Sequence, residues 1–409
     1  MGDGLRTFVL LAAAATLLSC TSCTGPAAST PRLASPSPVV ANPADSKAAD
    51  FRTRLDLLLG EQVILVAKEA SAARRADEYK SYLRLLTSNG DDLTELVRSA
   101  LGDTAATRFG QIWSAQNDYL VNYTIGLLTH IKSKSDGAWS GLSTKFVPQF
   151  SQFLTSATEV PLDPIKQLVS KHIFEMRAML DDQIAQNYPK MYADLRTVYA
   201  HASRIGDALA PRIAQKFPDK FPGNASSPAV DLRMTMNTLL QEHAYLATMT
   251  TSAATGGRSF EQGAAARALA ANAGALGKLF GGLFGASTET RLDQILAAKN
   301  TAMIGYASAS TATAKQSALS QLNNVFVTQF AAFVEDSTGL TSGSSHPAIQ
   351  AQVEATVAVI DDQRSRSSAT LGPDDRSADA SMQGIADLVT DAVVAKLPAR
   401  FSPVGTKAG

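Results

Sequence analysis

The chain has 409 residues, of which 45% are hydrophobic and 18% are charged, so it can bury large cores and we expect about two or three domains. Lysine plus arginine and aspartate plus glutamate both number 37, and this balance, without a long basic run, argues against nucleic acid as a partner. Both cysteines, Cys20 and Cys23, lie near the N-terminus, which excludes a disulfide, a thiolate metal site and a thiol nucleophile from the rest of the chain.

The first residues have the composition of an export signal. Arg6 precedes an apolar stretch of 11 residues, 8–18, which is too short for the ~20 residues that a membrane-spanning helix needs. The stretch ends in Leu17-Leu18-Ser19-Cys20, with a branched apolar residue three positions before the cysteine and a small residue directly before it. This pattern resembles the lipobox of bacterial lipoproteins. The resemblance implies that residues 1–19 are a signal peptide and that Cys20 carries diacylglycerol, with a further acyl chain such as palmitate on its amino group.

A lipid anchor at Cys20 predicts attachment to the extracytoplasmic face of the cell membrane, because two or three acyl chains hold a protein stably at a bilayer. Two alternatives remain. The first is ordinary secretion with Cys20 and Cys23 free or paired, and the second is cleavage before Cys23. No later segment has the length and apolar composition of a membrane-spanning helix, so the membrane is expected as a partner only through the anchor.

Residues 20–49 are predicted to be the lipidated cysteine followed by a flexible linker. Their composition shifts to serine, threonine, alanine and proline, and repeated prolines block a helix. The prolines of this segment are Pro26, Pro31, Pro36, Pro38 and Pro43. The linker therefore acts as a tether between the membrane and the folded part.

The rest of the chain is predicted to be one unit copied once. The two stretches resemble each other at spacings of 181, then 183, then 180 residues. The matches include Leu58-Leu59 with Leu239-Leu240, Asn89 with Asn272, Tyr123 with Tyr306, and Asp181-Asp182-Gln183 with Asp361-Asp362-Gln363. We predict repeat 1 at 50–222, repeat 2 at 229–403 and a tail at 404–409, with a short Pro/Gly/Asn/Ser segment between the repeats.

Apolar residues recur with helical spacing throughout both repeats. In the first copy, for example, Phe51, Leu55, Leu58 and Leu59 fall on one helix face. The predicted helices of this copy are roughly 51–74, 77–101, 104–134, 142–156, 163–186 and 189–216, with counterparts in the second copy. Long amphipathic helices with short connections favour antiparallel packing. The predicted fold class is therefore all-α, with two tandem-duplicated antiparallel helical bundles after the signal peptide and linker.

Four residues are candidate ligand-binding residues: His172, His201, Glu242 and His243. The histidines lie on or beside apolar helix faces, where helical bundles hold metals together with nearby carboxylates. Possible companions are Glu61, Asp181 and Asp207. The second copy of each position differs, since His172 matches Gln352, His201 matches Ser381 and His243 matches Gln62. Hydrogen-bonded core histidines, a metal or small-ligand site in one copy, and catalysis all remain open, and we assign no metal or cofactor.

The body also resembles a group of uncharacterised helical envelope-associated proteins of Gram-positive bacteria. The resemblance rests on Glu242-His243, on His172 and on the end of the first unit, Gln215-Lys216-Phe217-Pro218-Asp219-Lys220-Phe221. The second copy departs from it at Gln352 and Ser381. The resemblance implies a duplicated helical bundle in the cell envelope and no known activity.

The chain contains no Gly-x-Ser-x-Gly elbow, no His-Glu-x-x-His motif and no thiol nucleophile outside the N-terminal segment. We therefore expect a membrane-anchored lipoprotein that acts as a non-enzymatic binding or scaffolding module for an envelope protein or a small ligand. The alternative is a metal- or small-ligand-binding bundle that uses His172, His201 and His243. A third hypothesis, an enzyme, predicts a polar cleft with converging carboxylates.

Overall fold

The computed structural model describes residues 42–401. The predicted signal peptide, Cys20, Cys23, most of the linker and the predicted tail lie outside these residues. Residues 42–401 consist of helices and connecting turns, without a strand, and all fall in one compact unit. The predicted all-α fold class is confirmed.

The helices from residue 228 onward follow the same order as those before it, with one additional short helix at the end. The first half contains α1 (Lys47–Ala72), α2 (Ala76–Leu101), α3 (Asp103–Leu128), α4 (Lys132–Gly141), a π-helical turn (Leu142–Phe146), α5 (Val147–Thr158), α6 (Leu162–Ile184) and α7 (Tyr188–Lys216). The second half contains α8 (Pro228–Thr255), α9 (Ser259–Phe284), α10 (Ala286–Ser308), α11 (Ala312–Ser320), a π-helical turn (Gln321–Phe326), α12 (Val327–Thr338), α13 (His346–Ser365), α14 (Leu371–Lys396) and α15 (Pro398–Phe401). Descent from one duplicated unit stays a prediction.

Serine caps set the start of the first helix in each half. The Ser46 hydroxyl oxygen accepts a hydrogen bond from the Ala49 amide at 3.2 Å, and α1 begins at Lys47, earlier than the predicted residue 51. The Ser227 hydroxyl oxygen accepts from the Val230 amide at 3.3 Å at the start of α8. Such a cap satisfies an amide that the first turn leaves without a partner, which explains the earlier start.

The predicted helix 104–134 is wrong at its C-terminal end. Helix α3 ends at Leu128, and His130 takes the left-handed conformation with φ 56°. The chain then turns back into α4, which covers the end of that predicted helix and the predicted gap at 135–141. Gly126 permits this close approach, because a Cβ atom there would lie 2.5 Å from the Ser135 nitrogen.

Helices α1 and α8 form the centre of the fold. Both are buried along most of their length, and they pack against each other. Helix α1 also contacts α2 and α7, while α8 contacts α9 and α14. Two further contacts join the halves, because α7 packs against α9 and α14 packs against α2. One continuous hydrophobic core therefore includes side chains of both halves.

Within residues 42–401, every helix is either too short or too polar to cross a bilayer.

Candidate functional site

Two buried glutamates form ion pairs across the boundary between the halves. Glu61 on α1 accepts hydrogen bonds from Arg376 on α14, at 3.0 Å from Nε and 2.8 Å from Nη2. Glu242 on α8 accepts from Arg196 on α7, at 2.8 Å from Nε and 3.3 Å from Nη2. Each glutamate also accepts from an asparagine of its own half: Asn89 Nδ2 at 2.7 Å and Asn272 Nδ2 at 2.6 Å. Residues at matched positions of the predicted repeats therefore make the same kinds of contact. The asparagine comes from the same half as the glutamate, and the arginine comes from the other half.

A second exchanged pair lies nearer the N-terminal ends of the two central helices. Arg52 on α1 donates to Asp231 on α8 at 2.7 Å, and Arg233 on α8 donates to Asp50 on α1 at 2.6 Å. The four residues again occupy positions that are matched at a spacing of 181. Charged contacts therefore hold α1 and α8 together along one side.

A polar cleft opens where α1, α2, α8 and α14 meet. Its volume is about 470 Å³, and residues of both halves line it. Five carboxylates line the cleft: Asp50, Glu61, Asp92, Asp379 and Asp387. Three arginines also line it: Arg54, Arg233 and Arg376. A cleft of this size, with polar groups that converge from several elements, has the dimensions of a small-molecule site.

Two arginines neutralise four of the five carboxylates. Arg376 lies 2.8 Å from both Glu61 and Asp92. Arg233 pairs with the other two carboxylates, at 2.6 Å from Asp50 and 2.9 Å from Asp387. The charges of these carboxylates are therefore satisfied within the protein.

The fifth carboxyl group, Asp379, has no cationic partner among the described residues. Gln241 Nε2 at 3.1 Å and Gln383 Nε2 at 2.7 Å both donate to Asp379 Oδ2, while Oδ1 accepts no hydrogen bond from any described residue. Burial, and then the negative charge of Glu61, raise the pKa of Asp379 to about 8. The group is therefore mostly protonated at neutral pH.

The equivalent position in the first half holds a tyrosine. Tyr199 matches Asp379 at a spacing of 180, and Gly60 matches Gln241 at 181. The Tyr199 ring packs on Gly60, where a Cβ atom would lie 2.6 Å from the ring. Its hydroxyl donates to the Gln241 side chain at 2.9 Å. Gln241 thus contacts the aromatic residue of one half and the carboxyl group of the other.

The structure brings two of the predicted histidines together. The rings of His172 on α6 and His201 on α7 have centroids 5.9 Å apart, and His201 Nδ1 lies 2.5 Å from Glu175 Oε2. His172 Nδ1 has no hydrogen-bond partner within residues 42–401. Burial, and then the neighbouring His201, lower the pKa of His172 to about 3, so this imidazole is neutral at physiological pH.

Glu242 and His243 belong to a different group of side chains. Both contact Asn272, whose Nδ2 donates to Glu242 while its Oδ1 lies 2.9 Å from His243 Nδ1. Burial is also the main cause that lowers the pKa of His243 to about 3. The four predicted residues therefore form two groups, each with its own partners. In the described part of the chain, no three His, Cys, Asp or Glu side chains are placed to hold a metal ion.

Sequence reasoning missed the cleft and Asp379. It singled out Glu61 only as a possible companion of the histidines, whereas Glu61 lines the cleft and binds Arg376. A usable signal was present, because Glu61 matches Glu242 and Arg196 matches Arg376 in the predicted repeat. Identical charged residues at matched positions indicate a shared buried contact, but the sequence does not say which residue pairs with which.

Comparison of the chain with protein-family models, with curated proteins and with solved structures finds no match.

Proposed function

We propose that the chain is a membrane-anchored envelope lipoprotein whose folded part is a non-enzymatic module that binds a small polar ligand in the cleft between its two halves. The observation that carries the binding role is the cleft of about 470 Å³ with the partly unsatisfied carboxyl group of Asp379 on its wall. A buried polar atom without a partner costs free energy, and a ligand that supplies the missing hydrogen bond recovers that cost.

The pairing of the other carboxylates favours binding over catalysis. General acid–base chemistry on a substrate commonly uses two groups whose protons are free to move. Glu61, Asp92, Asp50 and Asp387 are each held by an arginine in the cleft. Among the described carboxyl groups that line the cleft, only Asp379 is not paired with an arginine. The cleft therefore has one free carboxyl group among them and no second one to serve as the other acid or base.

The anchor is supported by the lipobox pattern that ends at Cys20 and by the proline-rich segment after it. The proposed location is the extracytoplasmic face of the cell membrane, and the proposed partners are the lipid bilayer and a small ligand. Substituting Cys20 by alanine in a bacterial host should release the protein from the membrane fraction or leave its signal peptide uncut. Cys23→Ala is the matched control and should change neither. Unaltered membrane association and lipid labelling of C20A would refute the anchor at this residue, and loss of both in C23A would move it to Cys23.

The binding role is tested by blocking the cleft. Ala380 is an exposed alanine of α14 that lines the cleft, and Ala395 is an exposed alanine of the same helix that does not. The full chain is incubated with the small-molecule fraction of its host, washed, and analysed by mass spectrometry for retained compounds. We expect a compound that is retained by the wild type and by Ala395→Phe and is lost from Ala380→Phe. Equal retention by both variants, or no retained compound, would contradict a binding function for the cleft.

A further inference from the structure

Three buried polar side chains on the cleft wall each have an oxygen atom without a hydrogen-bond partner among the described residues. Thr53 Oγ1, Asn237 Oδ1 and Asp379 Oδ1 have no hydrogen-bond partner within residues 42–401. Their residues are only 6%, 1% and 2% exposed. Thr53 lies on α1, Asn237 on α8 and Asp379 on α14, so the three side chains approach the cleft from three different helices.

The orientation of Asn237 is fixed by its own contacts. Its Nδ2 donates to Asp387 Oδ1 at 3.0 Å and to the Arg233 carbonyl oxygen at 3.0 Å. Both amide protons are therefore used, and only the carbonyl oxygen Oδ1 remains free. In the same way, the two glutamine donors on Asp379 Oδ2 leave Oδ1 as the free atom. The Asn237 carbonyl oxygen can therefore accept a hydrogen bond from a ligand, and Asp379 Oδ1 accepts one when its carboxyl group is ionised.

The charges in the cleft favour a cation. The guanidinium groups of Arg233 and Arg376 are already bound by carboxylates, so an anionic ligand would have to compete with these pairs. The third arginine, Arg54, is exposed and forms no ion pair with a described residue, but the five carboxyl groups on the wall still outnumber the three arginines. Asp379 is the carboxyl group that lacks such a partner. A positively charged ligand would stabilise its ionised form inside the cleft, where an unpaired carboxylate is costly.

From these contacts we infer that the cleft binds an organic cation with N–H donors, an ammonium or guanidinium group, whose donor rests on Asp379 Oδ1 with Asn237 Oδ1 and Thr53 Oγ1 beside it. This inference rests on the proposed binding function and names its ligand class. One free carboxylate oxygen suits a single N–H donor, whereas no three His, Cys, Asp or Glu side chains of the described residues are placed to hold a metal ion.

The test uses the full chain and three small probes. Methylguanidinium carries both positive charge and N–H donors, tetramethylammonium carries charge without donors, and acetate is an anion. Dissociation constants are measured by ligand-observed NMR. We expect methylguanidinium to bind the wild type at least about ten-fold more tightly than either of the other probes.

Three variants locate the binding, two in the cleft and one control outside it. Asp379→Asn keeps the shape of the side chain and should weaken methylguanidinium binding by about ten-fold or more. Asp163→Asn makes the same substitution at an exposed position on α6 and should leave the binding unchanged. Ala380→Phe leaves the carboxyl group in place and should also abolish binding, so the location is tested even if D379N unfolds. Thermal melting of each variant shows whether it folds.

The outcomes separate the ligand class from the binding function. One outcome is that acetate binds to the wild type but not to A380F, while methylguanidinium does not bind. The cleft is then a ligand site, and the inference that its ligand is a cation is wrong. Equal binding of methylguanidinium to the wild type and to folded D379N also overturns the inference. If no probe binds and the host fraction yields no compound sensitive to A380F, both the inference and the proposed binding function are wrong.

Discussion

Arg376 of α14 and Glu61 of α1 form a bidentate ion pair across the boundary between the two halves of the fold. Arg376 Nε lies 3.0 Å from Glu61 Oε1 and Nη2 lies 2.8 Å from Oε2, and the Glu61 side chain is 3% exposed. Arg196 and Glu242 make the matching pair in the opposite direction. Each half therefore supplies the arginine that neutralises the buried glutamate of the other, which joins the two predicted repeats in one structure.

Loss of Arg376 should destabilise the protein strongly. Arg376→Met leaves the Glu61 carboxylate buried without a cation, and removing one partner of a buried pair costs about 3–5 kcal/mol. The free energy of unfolding is measured by urea denaturation of the full chain. Adding Glu61→Gln to R376M should recover part of the loss, because it removes the unpaired charge.

The control for this prediction is an exposed ion pair. Lys132 and Asp136 lie 2.6 Å apart on α4, with side chains that are 84% and 60% exposed. Lys132→Met should change the free energy of unfolding by less than about 1 kcal/mol. If R376M and K132M lower the free energy of unfolding by similar amounts, then the buried Glu61 pair does not stabilise the fold more than an exposed ion pair does.

Asp379 should make the protein less stable as the pH rises. Its pKa is about 8 in the folded chain, against 3.8 as an ordinary value, so the folded state holds a proton that the unfolded chain releases. Its contribution to stability is fully present below pH 3.8 and is lost as the pH rises to about 8, by up to about 1.4 kcal/mol per pH unit. Asp379→Asn removes this contribution.

The difference between the wild type and D379N isolates this group. Glu69, whose pKa burial also raises to about 8, is present in both proteins and cancels in the comparison. Urea unfolding at pH 5 and at pH 7.5 should show D379N gaining stability relative to the wild type at the higher pH. Parallel losses in the two proteins would mean that Asp379 is ionised in the fold.

Helical periodicity predicted the fold class because the apolar faces of these helices pack inward. It failed at Gly126 and Ser135, where close contact between α3 and α4 depends on a missing Cβ atom rather than on hydrophobic spacing. The candidate site was harder to predict. Its defining residue, Asp379, is matched by Tyr199, so comparison of the two predicted repeats does not single out an acidic residue there. The residues around Asp379 in the cleft also come from helices that are distant in sequence.

The histidine hypothesis has its own test. His172 is buried and neutral, and the second half has glutamine at the matched position, so His172→Gln should change the free energy of unfolding by less than about 1 kcal/mol. Adding zinc to the wild type, or treating it with a chelator, should leave the melting temperature unchanged. A stoichiometric metal that is bound by the wild type and lost in H172Q would instead establish a metal site at His172 and His201.

Gly60, the one glycine of α1, should not tolerate replacement by alanine, although alanine generally favours helices. A Cβ atom at Gly60 would lie 2.6 Å from Tyr199 Cε2 and 3.1 Å from Gln241 Oε1, so Gly60→Ala should cost about 1–3 kcal/mol through overlap with the ring. Gly384 is the matched control, because it lies inside α14 and a Cβ atom there meets nothing within 4 Å. Gly384→Ala should stabilise the protein by about 0.5–1 kcal/mol.

A double-mutant cycle identifies the cause of the Gly60 effect. If overlap with the Tyr199 ring is responsible, Gly60→Ala should cost much less in a Tyr199→Leu background, with a coupling energy of about 1 kcal/mol or more. Urea unfolding of the four proteins measures it. An unchanged cost in the Y199L background would assign the effect to Gln241, whose Oε1 is the other atom near the added methyl group. In that case the substitution should also shift the pKa of Asp379, since Gln241 Nε2 donates to its Oδ2.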